Sequence, residues 1–268
     1  MTKKINLFYF REKGGLDNFG DALSPMIIER LSGRKVVWSH VRSSDLVSIG
    51  SLLEGVRKRI WQRRFFRPLT PLRIWGAGAI RPGGSLDCGQ LIYCSVRGTF
   101  TRKRISTPDP IAIGDPGLLI GRLFERKSPR LYRWAIVPHI TDRFHAAIKE
   151  IHNATPGSIV VNLLDTPAIV IDQLNSSDFV YSTSLHGLVA ANALGKPFLW
   201  GCLNDKVSGG EWKFRDYFSV FPDADYNRMK LPTEFNFTKL EDKANLVDLA
   251  HVDRVCTNLE YTFREMGF

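Results

Sequence analysis

Apolar residues along this chain gather in short runs, and a polar or glycine-rich stretch follows almost every run. Ten of these runs predict β-strands, at residues 5–10, 35–39, 46–50, 73–79, 91–98, 111–115, 133–139, 158–162, 179–183 and 197–202. Their apolar character is nearly continuous instead of alternating. This pattern is typical of strands that are buried on both faces of a parallel sheet.

Helices are predicted between several of these strands. Ser24 followed by Pro25 favours a helix through "MIIERLSG", because serine caps helices and proline fits their first turn. Three further helical segments are predicted: one capped by Thr141 or Asp142 and running through Ile151, a short one at 167–174, and one or two amphipathic closing helices within 239–265.

Strands and helices therefore alternate, which predicts an α/β fold with parallel sheets. The alternation starts anew near "ERKSPRL" (125–131), so we expect a domain boundary there. We predict an N-terminal Rossmann-like domain at 1–128 and a C-terminal Rossmann-like domain with the closing helices at 129–268. The two halves are expected to face each other across a cleft.

A histidine stands where a predicted strand passes into a helix, in "YSTSLHGLVAANALGKPF" (181–198). If a hydroxyl residue of "STS" (182–184) caps that helix, His186 lies in its first turn, where N–H groups lack partners within the helix. Such a helix end attracts phosphate and carboxylate groups, and Gly187 would let a ligand approach the backbone closely. The alternative is a histidine that bonds a backbone carbonyl and only packs the turn.

Polar or glycine-containing insertions also follow other predicted strands, in "NFGD" (18–21), "WGAGA" (75–79), "VRG" (96–98), "GDPGLL" (114–119) and "VPHITD" (137–142). Taken singly, each has a structural explanation as a helix-end charge, an ion pair, a turn or a place of tight packing. Ligands of open α/β sheets bind at the carboxyl ends of strands, so together the insertions indicate a site. The candidate residues are Asn18, Gly20, Asp21, Gly76, Gly78, Arg97, Asp115, His139 and His186.

The net positive charge of the chain favours an anionic partner. Its 268 residues carry 37 Lys and Arg against 27 Asp and Glu, a formal net charge of +10. Much of the excess lies in "RKRIWQRRFFRPLTPLR" (57–73), where basic residues alternate with aromatic ones. This stretch suits an anionic membrane surface or a phosphorylated substrate, or else is a solvated loop. Nucleic acid is not expected as a partner, because no helix-turn-helix, RNA-binding aromatic motif or zinc finger accompanies it.

Membrane-spanning, secreted and metal-binding proteins are not indicated. No apolar run approaches the ~20 residues that span a bilayer, and the first apolar run is too short for a signal-peptide core. We therefore expect a cytoplasmic protein. The four cysteines are scattered without a CxxC pair, which favours free thiols, and no HExxH, DxD or Cys/His cluster predicts a metal site.

In this order, "NFGD", "GAG", "VRG", "GDPGLL", "VPH", "SLHGLVAANALGKP" and "NDKVSGGEWKFRDY" resemble the polysaccharide pyruvyl transferases, over residues 15–220. The resemblance implies a fold similar to the GT-B glycosyltransferases, with two facing Rossmann-like halves. It implies transfer of a pyruvyl group from phosphoenolpyruvate onto two hydroxyls of a sugar, as a cyclic ketal, without a further cofactor. In one departure, Ser184 stands where many members carry an arginine two residues before the histidine.

The resemblance also assigns roles to the candidate residues. Phosphoenolpyruvate carries a carboxylate and a phosphate, so cations and N–H donors are needed to bind it. Arg97 and Lys206 would supply the cations, and His186 would be the general acid. Asp21 or Asp115 would act as base towards the sugar hydroxyl or bind the acceptor. The remaining expected contacts are Ser184, Leu185 and Gly187 at the helix start, Asn18 and Gly20, Gly76 and Gly78, and His139.

The implied acceptor is a glycan intermediate of bacterial exopolysaccharide synthesis, similar to lipid-diphosphate-linked oligosaccharides at the cytoplasmic face of the inner membrane. The stretch 57–73 would then dock the protein peripherally on that anionic surface. Two alternatives stay open at this point. One is a glycosyltransferase or nucleotide-sugar epimerase of the same shape, and the other is a non-catalytic protein that binds sugar phosphates or membranes.

Overall fold

The computed structural model describes residues 4–11, 17–108, 110–124, 128–204, 207–222, 226, 229–230 and 240–268. The chain divides into two compact units. The first unit comprises Met1–Gly117, Gly209–Pro222 and Asp253–Phe268, and the second comprises Leu118–Ser208 and Asp223–Val252.

Eleven strands lie in the described residues. They are β1 (Ile5–Phe8), β2 (Val36–Trp38), β3 (Leu46–Val47), β4 (Leu72–Trp75), β5 (Leu91–Val96), β6 (Ala112–Ile113), β7 (Tyr132–Val137), β8 (Ser158–Val160), β9 (Ser177–Ser182), β10 (Phe198–Cys202) and β11 (Met229–Lys230). All ten predicted strands are confirmed. Strand β11 was not predicted, because in the sequence Met229 stands between Arg228 and Lys230 and belongs to no apolar run.

Helices connect most of the strands. They are α1 (Phe19–Ser32), α2 (Leu53–Arg59), α3 (Arg63–Phe66), α4 (Thr99–Arg102), α5 (Ile120–Leu123), α6 (Ala146–Asn153), α7 (Pro167–Asn175), α8 (Leu185–Ala193), α9 (Trp212–Phe218) and α10 (Leu249–Glu265), with 3₁₀ turns at Ile60–Gln62 and Pro116–Leu119. No helix in the described part of the chain is long and apolar enough to cross a membrane.

Each unit contains one parallel sheet, and the two sheets share a strand order. The first sheet runs β2-β1-β3-β4-β5-β6 and the second runs β11-β10-β9-β7-β8. Every pair of neighbours is parallel. In each sheet the earliest strand, β1 or β7, lies between the second and third strands of its unit. The chain adds its second strand on one side of the earliest strand and then crosses to add the third on the other side. The strand order therefore reverses between the first and third strands, and ligands of such sheets bind at the carboxyl ends there. The predicted α/β class with parallel sheets is therefore confirmed, and the facing of the two halves stays a prediction.

Apolar side chains cover both sheets, as the continuous apolar runs predicted. In the first unit Val47, Ile74 and Val96 of the sheet belong to one buried cluster with Leu53 and Val56 of α2. The corresponding cluster of the second unit joins Trp134, Ile136, Tyr181 and Leu199 of the sheet to Ile148 and Ile151 of α6.

Helix α1 begins earlier than predicted. Its cap is Asn18, whose side chain accepts the N–H of Asp21 at 3.3 Å and donates to the Asp21 carboxylate. This reciprocal pairing satisfies two groups at the helix start, so Ser24 and Pro25 lie inside the helix instead of at its cap. The prediction of Ser24 as the cap is wrong because the polar "NFGD" turn provides a stronger helix start than serine and proline do.

Helix α6 also has a different cap from the predicted one. His145 occupies the cap position and its Nδ1 accepts the N–H of Ala147 at 3.3 Å. Thr141 and Asp142, the two predicted caps, precede the helix and take part in a hydrogen-bond network described below. The short helix expected at 167–174 is confirmed as α7, whose first residue is Pro167.

The end of the chain groups with the first unit. Trp75 at the end of β4 donates its indole N–H to the carbonyl of Leu259 at 3.1 Å, and its ring lies 4.9 Å from that of Phe263. These contacts place Asp253–Phe268 in the first unit, whereas the sequence pattern grouped residues 129–268 together. A pattern of apolar residues shows that α10 is amphipathic, but it does not show which sheet the helix covers.

Candidate functional site

The start of α8 follows the carboxyl end of β9 directly. Ser184 takes the cap position with an extended backbone, and its own side chain makes no capping hydrogen bond. The first N–H groups of α8 therefore point out of the helix start without a hydroxyl cap from Ser184. Of the nine residues of α8, all of them described, His186 is the one that is not buried. The predicted helix start with His186 in its first turn is therefore confirmed, and its attraction for an anion stays a prediction.

A buried carboxylate joins the ends of three neighbouring strands beside this helix. Asp142 follows β7 and is 1% exposed. It accepts the hydroxyl of Thr183, after β9, at 2.8 Å and the side-chain amide of Asn204, after β10, at 3.0 Å. The backbone N–H of His139 donates to the same Thr183 hydroxyl at 2.8 Å. The network therefore fixes the loops around the helix start relative to one another.

His139 lies in this network through its backbone and its ring. Its Nδ1 lies 2.8 Å from the hydroxyl of Thr141, which in turn lies 3.3 Å from the Asp142 carboxylate. These contacts orient the imidazole within the second unit. The expected contact of His139 with a ligand stays a prediction.

The sequence analysis did not single out Asp142, Thr183 and Asn204 as site residues. Asp142 and Thr183 were considered only as helix caps, and Asn204 lies within the quoted "NDKVSGGEWKFRDY". The available indication was that all three follow strands that are neighbours in the sheet, but strand order is set by tertiary packing. Lys206, the predicted cation of that segment, lies outside the described residues.

Gly187 has a packing role. A Cβ at this position would lie 2.3 Å from Ser182 Oγ and 2.9 Å from Val137 Cγ1. Ser182 Oγ accepts the N–H of Ser184, and its one proton lies within hydrogen-bond distance of the carbonyls of Val137 and Ser184. The glycine therefore allows α8 to lie directly on the strand ends. This packing explains why position 187 needs glycine, and a contact of Gly187 with a ligand stays a prediction.

Arg97, the predicted donor-binding cation, is buried in the first unit. Its Nε and Nη2 lie 3.0 Å and 2.9 Å from Asp216 Oδ2. The remaining contacts are Nη1 with the Ser51 hydroxyl and Nη2 with the Ala79 carbonyl, each at 2.6 Å. Arg97 thus joins the end of β5 to α9, and its role in binding the donor stays a prediction.

The glycines of "GAG" and "VRG" make room for this ion pair. A Cβ on Gly78 would lie 2.3 Å from the Arg97 guanidinium carbon, and one on Gly98 would lie 1.7 Å from the Asp216 carbonyl oxygen. Gly76 has φ +80° and faces Pro116. These three positions therefore need glycine for close packing, and a contact of Gly76 and Gly78 with substrate stays a prediction.

The two candidate bases differ in their surroundings. Asp21 lies in the first turn of α1, paired with Asn18 as described, and Gly20 precedes it in the same turn. Asp115 is fully buried and accepts the N–H of Gly117 at 2.9 Å. Burial raises the pKa of Asp115 to about 6, against the lowering effects of the Gly117 N–H and Arg97. Asp115 would therefore need its surroundings to open before it could meet a sugar hydroxyl.

The raised pKa of Asp115 predicts a pH-dependent stability. A carboxyl with a folded-state pKa of about 6 and an unfolded value of 3.8 stabilises the fold at acidic pH and loses that contribution as pH rises through 6. Replacing Asp115 by Asn should remove this dependence. The difference in unfolding free energy between the two proteins should change by about 2 kcal/mol between about pH 4.5 and about pH 7.5, as measured by urea denaturation. Parallel pH dependences would contradict the assignment.

Metal ligands are not gathered anywhere in the described part of the chain. No group of three or more His, Cys, Asp or Glu side chains there is placed to hold a metal ion. All four cysteines lie in the described part and are free thiols.

Comparison with known proteins connects this region to a family. Residues 90–204, which include "VRG", "GDPGLL", "VPH" and "SLHG", match the family model described as polysaccharide pyruvyl transferase. A further likeness, to a solved structure of an uncharacterised protein from Klebsiella pneumoniae, has 12% identity, covers 85% of this chain and 93% of that one, and has a TM-score of 0.46. That score is too low to support any conclusion.

Two curated proteins are similar over part of their length. An uncharacterised protein of Acanthamoeba polyphaga mimivirus is 30% identical over 136 residues, which cover 47% of each chain. The succinoglycan biosynthesis protein ExoV of Rhizobium meliloti is 26% identical over 127 residues, covering 46% of this chain and 38% of ExoV. The chain thus spans under half the length of these relatives. Residues 90–204 are thus similar to the polysaccharide pyruvyl transferases, the family that the sequence motifs also resemble.

Proposed function

We propose that this protein transfers the pyruvyl group of phosphoenolpyruvate onto two hydroxyls of a sugar in an exopolysaccharide precursor, forming a cyclic ketal. The observation that supports this most is the position of His186. It lies in the first turn of α8, next to the loops that Asp142 holds together and inside the segment that matches the family model. An anion-attracting helix end and a titratable imidazole are the two groups that this reaction needs at its donor.

The proposed reaction balances as follows. His186 as imidazolium gives its proton to the methylene carbon of phosphoenolpyruvate, which becomes a methyl group. One sugar hydroxyl adds to the neighbouring carbon, phosphate leaves, and the second hydroxyl closes the ketal. Of the two hydroxyl protons released, one restores the imidazolium and the other leaves on phosphate. Backbone N–H groups of Leu185 and Gly187 would hold the donor anion, and Lys206 would add positive charge.

Asp21 or Asp115 is proposed to accept the proton of a sugar hydroxyl first and then to pass it on to the imidazole or to phosphate. Turnover of Asp21→Asn and Asp115→Asn separates these two. A large loss in one variant alone identifies the base, and wild-type rates in both would remove carboxylate catalysis from the mechanism.

The decisive experiment follows both products. Purified protein is incubated with phosphoenolpyruvate labelled with ¹³C at its second carbon and with glycosides that offer a pair of hydroxyls. Phosphate release that depends on the glycoside, together with a new ketal carbon resonance, supports the proposal. Sugar transfer from a uridine diphosphate sugar would favour the glycosyltransferase alternative instead, and absence of both reactions would favour a non-catalytic protein.

We further propose that the stretch 57–73 docks the protein on an anionic membrane, where a lipid-linked acceptor would lie. The side chains of Trp61, Phe65, Phe66 and Leu69 are exposed, and Arg57, Lys58, Arg59 and Arg64 are exposed around them. Arg63 does not share this role. It is buried and donates to the carbonyls of Val41, Ser44, Thr70 and Pro71.

Vesicle sedimentation tests this docking. Vesicles of phosphatidylcholine with phosphatidylglycerol should bind the protein more strongly than pure phosphatidylcholine, and less so at high salt. Replacing Trp61 and Phe65 by Ser should reduce binding, because apolar insertion is lost. Phe144→Ser, at a still more exposed aromatic of the second unit, serves as the control. Equal sedimentation with both lipid mixtures would remove the membrane from the proposal.

A further inference from the structure

The first unit contains a cavity that none of the family motifs explains. It encloses about 410 Å³ at the carboxyl ends of β1 and β2, a size typical of small-molecule sites. Phe8, the last residue of β1, and Trp38, the last residue of β2, both line it. Since ligands of parallel α/β sheets bind at the carboxyl ends of the strands, the position is typical of a binding site.

The lining of this cavity combines positive charge with aromatic rings. Three arginines, Arg11, Arg42 and Arg59, border it, as do Tyr9, Phe10, Trp38, His40 and Gln62. Arg11 pairs with Asp17 at 3.4 Å. In the described part of the chain, neither Arg42 nor Arg59 pairs with a carboxylate. Arg42 lies 4.7 Å over the Phe66 ring, and Arg59 makes a 3.4 Å contact with the Gly55 carbonyl. Two guanidinium groups are therefore available to an anion.

The aromatic wall is fixed in place. The Trp38 indole N–H donates to the Tyr9 carbonyl at 3.1 Å, and the His40 ring packs edge-on against Trp38 with centroids 4.6 Å apart. Burial and the carboxylates of Asp17 and Asp21 raise the pKa of Tyr9, although Arg11 acts in the opposite direction. The wall therefore lies next to the "NFGD" turn, which carries the candidate base Asp21.

These features distinguish between possible anions. Phosphoenolpyruvate has no ring to cover Trp38, Tyr9 and Phe10, whereas a sugar carrying phosphate combines a ring with an anion. The planar guanidinium group of arginine binds the oxygens of a phosphate in pairs, so two arginines suit a ligand that carries two phosphates. Aromatic side chains with a few polar groups are the usual lining of sites for organic ligands of this kind.

We propose that this cavity binds the acceptor as a sugar diphosphate, with Arg42 and Arg59 on the diphosphate and Trp38 against the sugar ring. The inference rests on the proposed pyruvyl transfer, for which it supplies an acceptor site in the first unit. Gln62 offers an amide to the sugar hydroxyls. The cavity shares Arg42 and Arg59 with the cationic surface around residues 57–73, so a lipid-linked sugar diphosphate would reach it from a membrane.

The test is calorimetric titration of the full chain with two probes. Uridine diphosphate glucose represents a soluble source of the diphosphate, and a prenyl diphosphate glucose in neutral detergent micelles represents a lipid source. Arg42→Gln and Arg59→Gln should each weaken binding of the preferred probe about ten- to a hundredfold, as expected for losing a charge-assisted hydrogen bond. The double variant Lys35→Gln, Arg81→Gln removes two exposed charges of the first unit that lie outside both the cavity lining and the docking stretch, and it should change the Kd little.

Each outcome decides one point. Tighter binding of the prenyl probe supports the site and identifies a lipid-linked acceptor, whereas tighter binding of the uridine probe supports the site with a soluble ligand. Failure of both probes to bind, or equal Kd values for wild type and the two arginine variants, overturns the proposal.

Titration of phosphoenolpyruvate into the same samples keeps the two proposals separate. If it binds wild type and both variants while the diphosphates do not bind, only the cavity proposal fails. If the diphosphates bind and phosphoenolpyruvate does not, only the transfer proposal fails.

Discussion

Replacing His186 by Gln is expected to lower kcat for phosphate release by about 10²- to 10⁴-fold, the usual contribution of a general acid. The glutamine keeps a polar side chain in the first turn of α8 but holds no transferable proton. Binding of phosphoenolpyruvate should be affected much less, because the N–H groups of the helix start remain. The measurement is turnover and donor affinity of both proteins across pH.

The pH profile separates acid catalysis from a structural role. An imidazole of ordinary acidity is protonated below about pH 6.5, and the negative charges of a bound donor favour its protonated form. Wild-type kcat should therefore fall as pH rises through the imidazole titration, while the residual rate of His186→Gln should lack that step. His152→Gln, at an exposed histidine of the same unit, should behave like wild type. Flat profiles in both proteins would exclude His186 as the acid.

The regular part of the fold could be predicted because it depends on local patterns. Continuous apolar runs identified ten of the eleven described strands, and the run around 179–183 predicted that His186 lies at a helix start. Strands that are buried on both faces must be apolar throughout, so this pattern holds whatever the order of the strands. The order itself depends on which helices cover which face, and the sequence does not show that.

The candidate site was predicted less completely, for a related reason. Asp142 looked like a helix cap, since a polar residue before a helical segment commonly has that role. It is instead a buried hydrogen-bond acceptor for Thr183 and Asn204, which follow it by 41 and 62 positions. Pairings over such separations have no local pattern, and the same applies to Arg97, whose partner Asp216 is 119 positions away.

Removing Asp216 is expected to cost the fold about 3–5 kcal/mol, the usual effect of leaving one partner of a buried ion pair without the other. Both side chains of the Arg97–Asp216 pair are 0% exposed. Asp216 also accepts the backbone N–H and the hydroxyl of Thr101, each at 2.7 Å, so its loss leaves three buried donor groups without their acceptor. Asp216→Ala should therefore unfold at much lower urea concentration, or fail to accumulate as folded protein.

The double variant Arg97→Met, Asp216→Leu keeps this prediction testable if the single variant does not fold. It removes both charges together, and apolar replacement of a whole buried pair is often neutral or stabilising. If the two changes acted independently, their costs would add, and the double variant would be less stable than Asp216→Ala. We expect the double variant to be the more stable of the two, because it leaves no unpaired charge. Glu265→Gln, at an exposed carboxylate of the same unit, should shift stability by no more than about 0.5 kcal/mol. If the double variant were less stable than Asp216→Ala, the cost would come from lost packing around the pair, and the ionic argument would be wrong.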